Sequence, residues 1–281
     1  MAEGQTEAAK AIFAKTVEVK AAEGAAADRE AAEAARHLGA LAFLDNTEEA
    51  LRWYRRAVEL DPANADGWYG LGHLYLRTGQ LDQAEEAYSE VVSLGEANGD
   101  IETIAAGTGN LGLLYQTRGE LDRAEEMLKK ALAIDEKLGR QEGMANQYGN
   151  LGLLYRTRGE LDRAEEMHKK SLAIDEKLGL QEGMAIQYGN LALLYQTSGD
   201  LDRAEEMQKK ALAIDEKLGR PEGMASDYGG LGVIYQTRGE LERAEEMYKK
   251  ALADRREGRP PGGHGQPLRQ PREHLPDARR S

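Results

Sequence analysis

The sequence NLGLLYRTRGELDRAEEMHKKSLAIDEKLG, residues 150–179, decides the fold because it recurs along the chain at a fixed step of 40 residues. It returns almost verbatim at 110–139 and at 190–219, and only three of the thirty positions differ between 110–139 and 150–179. A period of about 20–50 residues is typical of repeat architectures, in which each unit contacts only its neighbours. Such near-identity also suggests that no repeat has acquired chemistry of its own. The sequence therefore indicates much about the fold and little about a specific partner.

Within one repeat, two stretches with a helical period are separated by a glycine. The first carries apolar and aromatic residues spaced four, three and four apart, namely Met144, Tyr148, Leu151 and Tyr155. The second carries a stripe spaced three, four, three and four apart, namely Ala164, Met167, Ser171, Ile174 and Leu178. Gly159 stands between them and can adopt the left-handed conformation without a Cβ penalty. Each repeat is therefore predicted to be a helical hairpin with two apolar stripes and a charged back.

The period predicts six hairpins, preceded by one Ala-rich helix at 5–23. We expect the pairs at 31–43 with 47–60, 64–78 with 81–95, 100–118 with 121–138, 141–158 with 161–178, 181–198 with 201–218, and 221–238 with 241–253. The chain then divides into an N-terminal cap-like helix (1–30), a solenoid of about six hairpins (31–253) and a disordered tail (254–281). The N-terminal helix has a second interpretation, in which it docks on another chain.

One set of residues, repeated in register at the step of 40, resembles the tetratricopeptide repeat. In the second hairpin this set is Trp68, Leu71, Gly72, Tyr75, Gly79, Ala84 and Tyr88. In that family a small residue lets the paired helices approach, and an alanine fits beneath the neighbouring helix. The resemblance covers roughly 31–253 and implies an all-α, right-handed superhelical solenoid. The first hairpin departs from the pattern, since Ala42 stands in the place of the tyrosine and the turn is one residue short.

The 40-residue period exceeds the usual length of about 34 residues. It is similar to the longer-helix variant of kinesin light chain, of Pins-type polarity adaptors and of bacterial arrays. Those relatives bind extended or helical peptides along a concave face lined by the first helix of each hairpin. The resemblance implies a groove lined here by Asn110, Leu113, Gln116, Asn150, Leu153, Arg156, Asn190, Leu193 and Gln196. An amide side chain both donates and accepts hydrogen bonds, so the regularly spaced Asn and Gln side chains can bind a peptide main chain. The leucines between them would form apolar pockets. The alternative is that these residues are spacers chosen for helix packing.

The charge of the chain limits its partners. With 37 basic and 50 acidic residues the formal net charge is −13, which disfavours nucleic acid and anionic membrane as main partners. The absence of cysteine excludes disulfides and thiolate metal sites and fits a reducing compartment. No stretch has a signal-peptide layout, and none reaches the roughly 18 apolar residues of a membrane span. We therefore expect a soluble, cytoplasmic protein whose partner is a protein or peptide.

No catalytic or metal-binding constellation is visible. The histidines His37, His73 and His168 occupy different repeats and show no metal-ligand spacing. Acid pairs such as Glu165 and Glu166 recur in the repeats, where i,i+4 lysines make a solvated charged face the favoured interpretation over paired-carboxylate catalysis. We predict no enzyme activity, no cofactor and no metal site.

The tail at 254–281 has no helical period and carries five of the seven prolines, with seven arginines against four acidic residues. One interpretation is a disordered basic tail. The other is a seventh repeat read out of frame. The period predicts Ile-Asp-Glu-Lys after Ala253, and ATC GAC GAG AAG read one base early becomes GAT CGA CGA GAA, which is the observed Asp-Arg-Arg-Glu. We favour this second hypothesis, and resequencing the gene tests it.

The function that these patterns favour is a protein–protein interaction scaffold that binds a peptide or partner segment in the groove. The alternative is a non-catalytic fragment of a larger multidomain signalling protein whose effector domain lies outside this chain. Because a broken array would leave its last hairpin without a neighbour, self-association through the exposed C-terminal edge is a further expectation.

Overall fold

The computed structural model describes residues 2–20 and 25–257, and within them the chain folds into thirteen α-helices. The helices are α1 Ala2–Lys20, α2 Ala25–Ala42, α3 Thr47–Leu60, α4 Ala65–Arg77, α5 Leu81–Asn98, α6 Ile101–Arg118, α7 Leu121–Leu138, α8 Gln141–Arg158, α9 Leu161–Leu178, α10 Gln181–Ser198, α11 Leu201–Leu218, α12 Pro221–Arg238 and α13 Leu241–Glu257. After α1, consecutive helices pair into six hairpins, from α2–α3 to α12–α13. The protein is an all-α repeat solenoid, as the sequence predicts.

The ends of the array differ from the predicted boundaries, whereas the interior helices begin and end within three residues of them. Helix α2 begins at Ala25, six residues before the expected start at 31, because the alanine run there has high helix propensity. Helix α13 continues to Glu257, four residues beyond the expected boundary at 253. The rest of the tail, for which an out-of-frame seventh repeat is the hypothesis, lies outside the described residues.

Glycines end the helices at regular intervals. Nine glycines of the described chain have a φ between 64° and 84°, and they recur every 20 residues from Gly79 to Gly239. At the end of α8, Gly159 has a φ of 78°, which confirms its predicted left-handed conformation. The Glu160 N–H then donates to the Tyr155 carbonyl at 2.8 Å, which satisfies one of the last carbonyls of the helix. Five of these turns, from Gly79 to Gly239, join the two helices of a hairpin, and the other four join successive hairpins.

The residues that recur at the step of 40 form the core. The leucines, tyrosines and alanines of the pattern are all buried, namely Leu71, Leu111, Leu151, Leu191, Leu231, Tyr75, Tyr115, Tyr155, Tyr195, Tyr235, Ala84, Ala124, Ala164, Ala204 and Ala244. The predicted stripe of the second helix is wrong at its end, because Leu178 is 39% exposed and Asp175 is buried instead. The carboxyl group of Asp175 packs closely against Gly183 at the start of the next hairpin.

The close approach of the two helices of a hairpin explains why the pattern has a small residue at positions such as Gly152. A Cβ atom placed on Gly152 would lie 2.6 Å from Cε1 of His168, whose side chain is fully buried. Gly72 meets Tyr88 in the same way, and Gly112 meets Leu128. The small residue therefore makes room for a large side chain from the second helix of its own hairpin.

The two ends of the array differ in how far their apolar side chains are covered. Helix α1 packs on α2, where Val17 joins a cluster with Ala35 and Leu38, so it covers the first hairpin as a cap does. Helix α13 instead leaves Leu241 65% exposed and Leu252 58% exposed, whereas the equivalent leucines of the preceding hairpin are half-buried. Self-association through this edge stays a prediction.

The hairpins converge on one side of the array. The first helices of successive hairpins contact one another, as in α6 with α8, α8 with α10 and α10 with α12. Between the second helices of successive hairpins, the described residues make no such contact. Because the spacing is tighter on the side of the first helices, that side is the inner face of the array.

A polar clamp ties successive hairpins together on the outer side, and the sequence pattern did not reveal it. The Tyr155 hydroxyl donates to Glu125 Oε1 at 2.8 Å, and Arg158 donates to both Glu125 and Asp122. Arg163 donates to the Tyr155 hydroxyl at 2.6 Å, with its guanidinium carbon 3.7 Å from the centre of the tyrosine ring. The first glutamate of the acid pair is therefore a structural partner of the next hairpin, and not only part of a solvated face.

The clamp holds its carboxylate ionised. Burial opposes ionisation of Glu125, but hydrogen bonds from Lys129, Tyr155 and Arg158 outweigh it and lower the pKa of Glu125 to about 2. Glu205 has the equivalent partners, and its pKa is likewise lowered to about 2. One clamp is incomplete, because Ser198 stands in the place of Arg158.

We expect Ser198→Arg to stabilise the chain by about 0.5–1.5 kcal/mol, since it adds charge-assisted hydrogen bonds to Glu165 and Asp162. Urea unfolding followed by circular dichroism measures the change. The matched control is Arg158→Ser, which should lower the free energy of unfolding by a similar amount. A Ser198→Arg variant no more stable than the wild type would contradict this account of the clamp.

Candidate binding groove

Two cavities open between the first helices on the inner face, two repeats apart. The α6–α8 cavity has a volume of about 290 Å³, and the α10–α12 cavity has a volume of about 490 Å³. Ten of the eleven residues that line the first cavity have an equivalent 80 positions later in the second, as with Asn110 and Asn190, or Leu113 and Leu193. The repeat therefore builds the same kind of recess twice, and the side chains of each repeat decide how the two differ.

Six of the nine predicted groove residues line these cavities. Asn110, Leu113 and Asn150 line the α6–α8 cavity, and Asn190, Leu193 and Gln196 line the α10–α12 cavity. The other three, Gln116, Leu153 and Arg156, lie on the same helices and are half-buried, but they line neither cavity.

The three predicted groove asparagines differ in whether their side chains already have hydrogen-bond partners. Asn110 is buried, and its Nδ2 donates to the Tyr69 hydroxyl at 2.9 Å and to the Ala106 carbonyl at 2.8 Å. The side chains of Asn150 and Asn190 are half-buried and make no hydrogen bond within the part of the chain that the structure describes. Asn110 therefore has a structural partner already, whereas Asn150 and Asn190 keep both donor and acceptor capacity.

Buried polar atoms without a partner lie along the same helices. Arg156 Nη1 and Gln196 Nε2 are buried donors that reach no acceptor among the described residues, and Gln147 Oε1 is a buried acceptor that receives no donor there. A buried polar group left unpaired costs about 1–3 kcal/mol, so a ligand that supplies the missing partner is stabilised by that amount at most. These atoms have almost no accessible surface, so a ligand reaches them only after the side chains rearrange.

The hydroxyl groups of the threonines that lie four residues after the groove leucines already take part in hydrogen bonds. Thr117, Thr157 and Thr197 each donate to the carbonyl of the residue four positions earlier, at 2.9, 2.9 and 2.8 Å. They satisfy the backbone of their own helix and add nothing to the groove.

Buried aspartates at the junctions between hairpins are residues that sequence reasoning missed. Asp135, Asp175 and Asp215 lie on the second helix of one hairpin, and each carboxyl packs against a glycine of the next hairpin. A Cβ atom on Gly143 would lie 2.5 Å from Asp135 Cγ. Burial raises the pKa of all three aspartates. The available signal was their 40-residue recurrence beside a glycine that recurs with them.

The three junctions differ in the polar side chain that the next hairpin places near the aspartate and in the hydrogen bond that this side chain makes. Gln147 Nε2 lies 3.5 Å from Asp135 Oδ2, so an amide faces the first carboxylate. In the second junction His168 Nδ1–H donates to Oε1 of the equivalent Gln187 at 2.9 Å. In the third junction Asp227 stands in the place of the glutamine. Two carboxyl groups, those of Asp215 and Asp227, therefore meet at the α11–α12 junction.

Asp227 is the most perturbed group of the groove. It is 5% exposed, Gln208 Nε2 donates to its Oδ1 at 2.6 Å, and its Oδ2, which no N–H among the described residues reaches, belongs to a carboxyl group hydrogen-bonded to that of Asp215. Burial, reinforced by the charge of Asp215, raises the pKa of Asp227 to about 7. Asp227 lies outside the nearly identical stretches of the repeats, at a position where the two preceding hairpins carry Gln147 and Gln187.

The three histidines of the described residues take structural positions or lie on the surface. His168 is fully buried against Gly152, His73 packs its ring against Tyr69 and Tyr88, and the His37 side chain is exposed. Within residues 2–20 and 25–257, no group of three or more histidine, aspartate or glutamate side chains is arranged to hold a metal ion. None of the described helices is long and apolar enough to span a lipid bilayer.

Comparison with known families gives a match over most of the chain. The tetratricopeptide repeat family matches residues 64–137, 103–177 and 183–257, and a second description, TPR repeat, matches residues 44–79. No curated protein matches the chain significantly.

Solved structures with the same fold include BtubC (BKLC) from P. vanneervenii, which is 24% identical with a TM-score of 0.64 over 86% of this chain and 98% of that one. A putative kinesin light chain from P. anserina with nearly identical TPR-like repeats is 25% identical, with a TM-score of 0.57 over 70% of this chain and 97% of that one. The Cut9–Hcn1 hetero-tetramer contains a chain that is 17% identical, with a TM-score of 0.64 over 90% of this chain and 44% of that one. These likenesses are evidence for the fold.

Proposed function

This chain belongs to the tetratricopeptide repeat family, and from that premise we propose that it is a non-catalytic scaffold that binds an extended segment of a partner protein along the inner face of its first helices. Members of the family are generally protein-interaction scaffolds, and the solved structures of similar fold include a subunit of a hetero-tetramer. The alternative partners that need a basic surface are disfavoured by the formal charge of −13.

The observation that carries the proposal is a pair of half-buried asparagines on the inner face. The side chains of Asn150 and Asn190 have no hydrogen-bond partner among the described residues and keep both donor and acceptor capacity. Successive carbonyl and N–H groups of an extended main chain supply both kinds of partner at regular intervals. Leu193, which is 43% exposed between Asn190 and Gln196, offers an apolar contact to side chains of the same segment.

Display of random peptides tests the proposal, with the full chain as bait. We expect captured peptides to protect backbone amides of α8 and α10 from hydrogen exchange while they leave α9 and α11 unchanged. Peptides that protect only the outer helices, or a selection that yields no peptide, would contradict the proposal.

A further inference from the structure

We propose that the α10–α12 cavity is a specificity pocket for one lysine or arginine side chain of the bound segment. This inference rests on the proposed function and adds the chemistry of one partner residue. The cavity lies on the inner face beside Asn190, Leu193 and Gln196, so a segment bound along that face passes over its mouth.

The charge of the cavity favours a cation. Its lining includes three carboxyl groups, those of Asp215, Glu222 and Asp227, and a single cation, Arg220. The equivalent α6–α8 cavity is lined by one carboxyl group, that of Asp135, and one cation, Arg140. Of these two cavities, the acidic excess is found only in the α10–α12 cavity.

The one cation of the cavity lies at ion-pair distance from two acidic residues, although its buried Nη1 makes no hydrogen bond among the described residues. Arg220 Nη1 lies 3.4 Å from Asp215 Oδ1, and Arg220 Nε lies 3.8 Å from Glu182 Oε1 on α10. Asp227 Oδ2 receives no N–H donor among the described residues, and while Asp227 is protonated its carboxyl hydrogen-bonds to that of Asp215. A buried carboxylate of this kind is stabilised by a charge-assisted hydrogen bond from an ammonium or guanidinium group.

The cavity also has the room and the walls that such a side chain needs. Ser226 and Gly230 stand where Asn146 and Asn150 line the α6–α8 cavity, and the volume rises from about 290 to about 490 Å³. Ile186, which is 53% exposed, and Leu193 stand at its edge, and both line it. Apolar walls suit the aliphatic stem of lysine or arginine, while the charged head reaches the carboxyl groups.

Ionisation of the carboxyl pair gives the pocket a dependence on pH. The groups that face Asp227 are Asp215 and Gln208 from α11, Arg220 from the turn before α12, and Glu222 from the first turn of α12. Because burial and Asp215 raise the pKa of Asp227 to about 7, its carboxyl carries little charge at about pH 6 and most of its charge at about pH 8. Affinity for a cation should therefore rise over that range.

Titration with n-butylguanidinium and n-butylammonium, followed by amide shifts in NMR spectra of the full chain, tests the pocket directly. We expect saturable shifts at Gly223 and Ser226 that strengthen from about pH 6 to about pH 8, and no saturable shift with n-butanol. The variant Asp227→Asn should weaken binding by about tenfold or more, since it removes the charged acceptor. The matched control Asp162→Asn removes an exposed carboxylate from α9 and should leave binding unchanged.

The outcomes separate the pocket from the groove. Binding that survives Asp227→Asn within about twofold, or that n-butanol reproduces, would overturn the pocket and leave the peptide groove standing. A display selection that yields groove-bound peptides without a lysine or arginine preference would also overturn the pocket alone. A third outcome is that Asp227→Asn abolishes butylguanidinium binding while the display selection yields no peptides. That outcome would refute the peptide groove, and with it the proposal that the pocket recognises a side chain of a bound partner segment.

Discussion

The variant Asp227→Asn is expected to be more stable than the wild type, by an amount that grows as the pH rises. Asparagine has the shape of aspartate, keeps an oxygen that accepts from Gln208, and gains an amide that can donate to Asp215. The wild type must instead hold two carboxyl groups in one buried junction, close enough that Asp215 raises the pKa of Asp227. Burial and the charge of Asp215 oppose ionisation of Asp227, so a neutral amide in its place relieves the junction.

The sign of the pH dependence follows from the pKa of Asp227, which rises from its ordinary value of 3.8 to about 7 on folding. Below the ordinary value the carboxyl is protonated in both states, and its ionisation contributes nothing. Between the two values the unfolded chain has lost its proton and the folded chain keeps it, so the free energy of unfolding falls as pH rises. Above about 7 the loss is complete and constant.

The difference in free energy of unfolding between Asp227→Asn and the wild type should therefore increase by about 2–4 kcal/mol between about pH 4 and about pH 8. The buried histidines His73 and His168 are present in both proteins, so their titration cancels in this difference. Urea unfolding at both pH values measures it, and hydrogen exchange of α12 and α13 shows whether the last hairpin opens first, as a repeat array allows.

The exposed carboxylate Asp162 is the control for this experiment. Asp162→Asn should change the free energy of unfolding by the same small amount at both pH values. If the gain from Asp227→Asn were equally independent of pH, the buried carboxyl pair would be refuted.

The variant Gly152→Ala is expected to lower the free energy of unfolding, although alanine is the better helix former. Alanine in place of glycine inside a helix gains about 0.5–1 kcal/mol of backbone entropy. Against this gain, the new Cβ would lie 2.6 Å from the ring of His168, which is fully buried and cannot move aside. Overpacking of this kind typically costs about 1–3 kcal/mol, so we expect a net loss of about 1–2 kcal/mol in urea unfolding.

The next hairpin indicates which second substitution should restore the stability of Gly152→Ala. It carries Ala192 and Gln208 at the positions of Gly152 and His168. The double variant Gly152→Ala with His168→Gln transfers this pair, removes the rigid ring and keeps the helix gain. We expect it to be at least as stable as the wild type, and a double variant as unstable as Gly152→Ala alone would contradict the size complementarity between the two helices.

Most of the fold could be predicted because the features that build it are periodic. Gly159 and the buried residues Leu151, Tyr155 and Ala164 each recur at the step of 40 and carry a local physical meaning that needs no knowledge of the neighbouring hairpin. The clamp around Glu125 was not predicted, because its tyrosine and arginine come from the following hairpin. A sequence pattern indicates which side chains recur, but not which of them meet across a junction.

The candidate groove could be predicted only in part. The positions of Asn150 and Asn190 followed from the resemblance to a family, and the structure leaves both side chains without partners among the described residues. Asn110 looks identical in sequence, yet Tyr69 from the preceding hairpin engages it. Asp227 was overlooked because an aspartate among many on an acidic chain carries no signal until its burial is known.

The claim that the inner face binds a partner segment is tested most directly by calorimetric titration of a display-selected peptide into three forms of the full chain. These are the wild type, Asn150→Ala with Asn190→Ala, and the outer-face control Glu166→Ala with Glu206→Ala, while Asn110 is retained because of its bond to Tyr69. We predict that the asparagine variant binds about tenfold or more weakly, since two hydrogen bonds to the peptide main chain are lost, and that the control binds as the wild type does. Equal affinity of the asparagine variant and the wild type, or a loss confined to the outer-face control, would contradict the account.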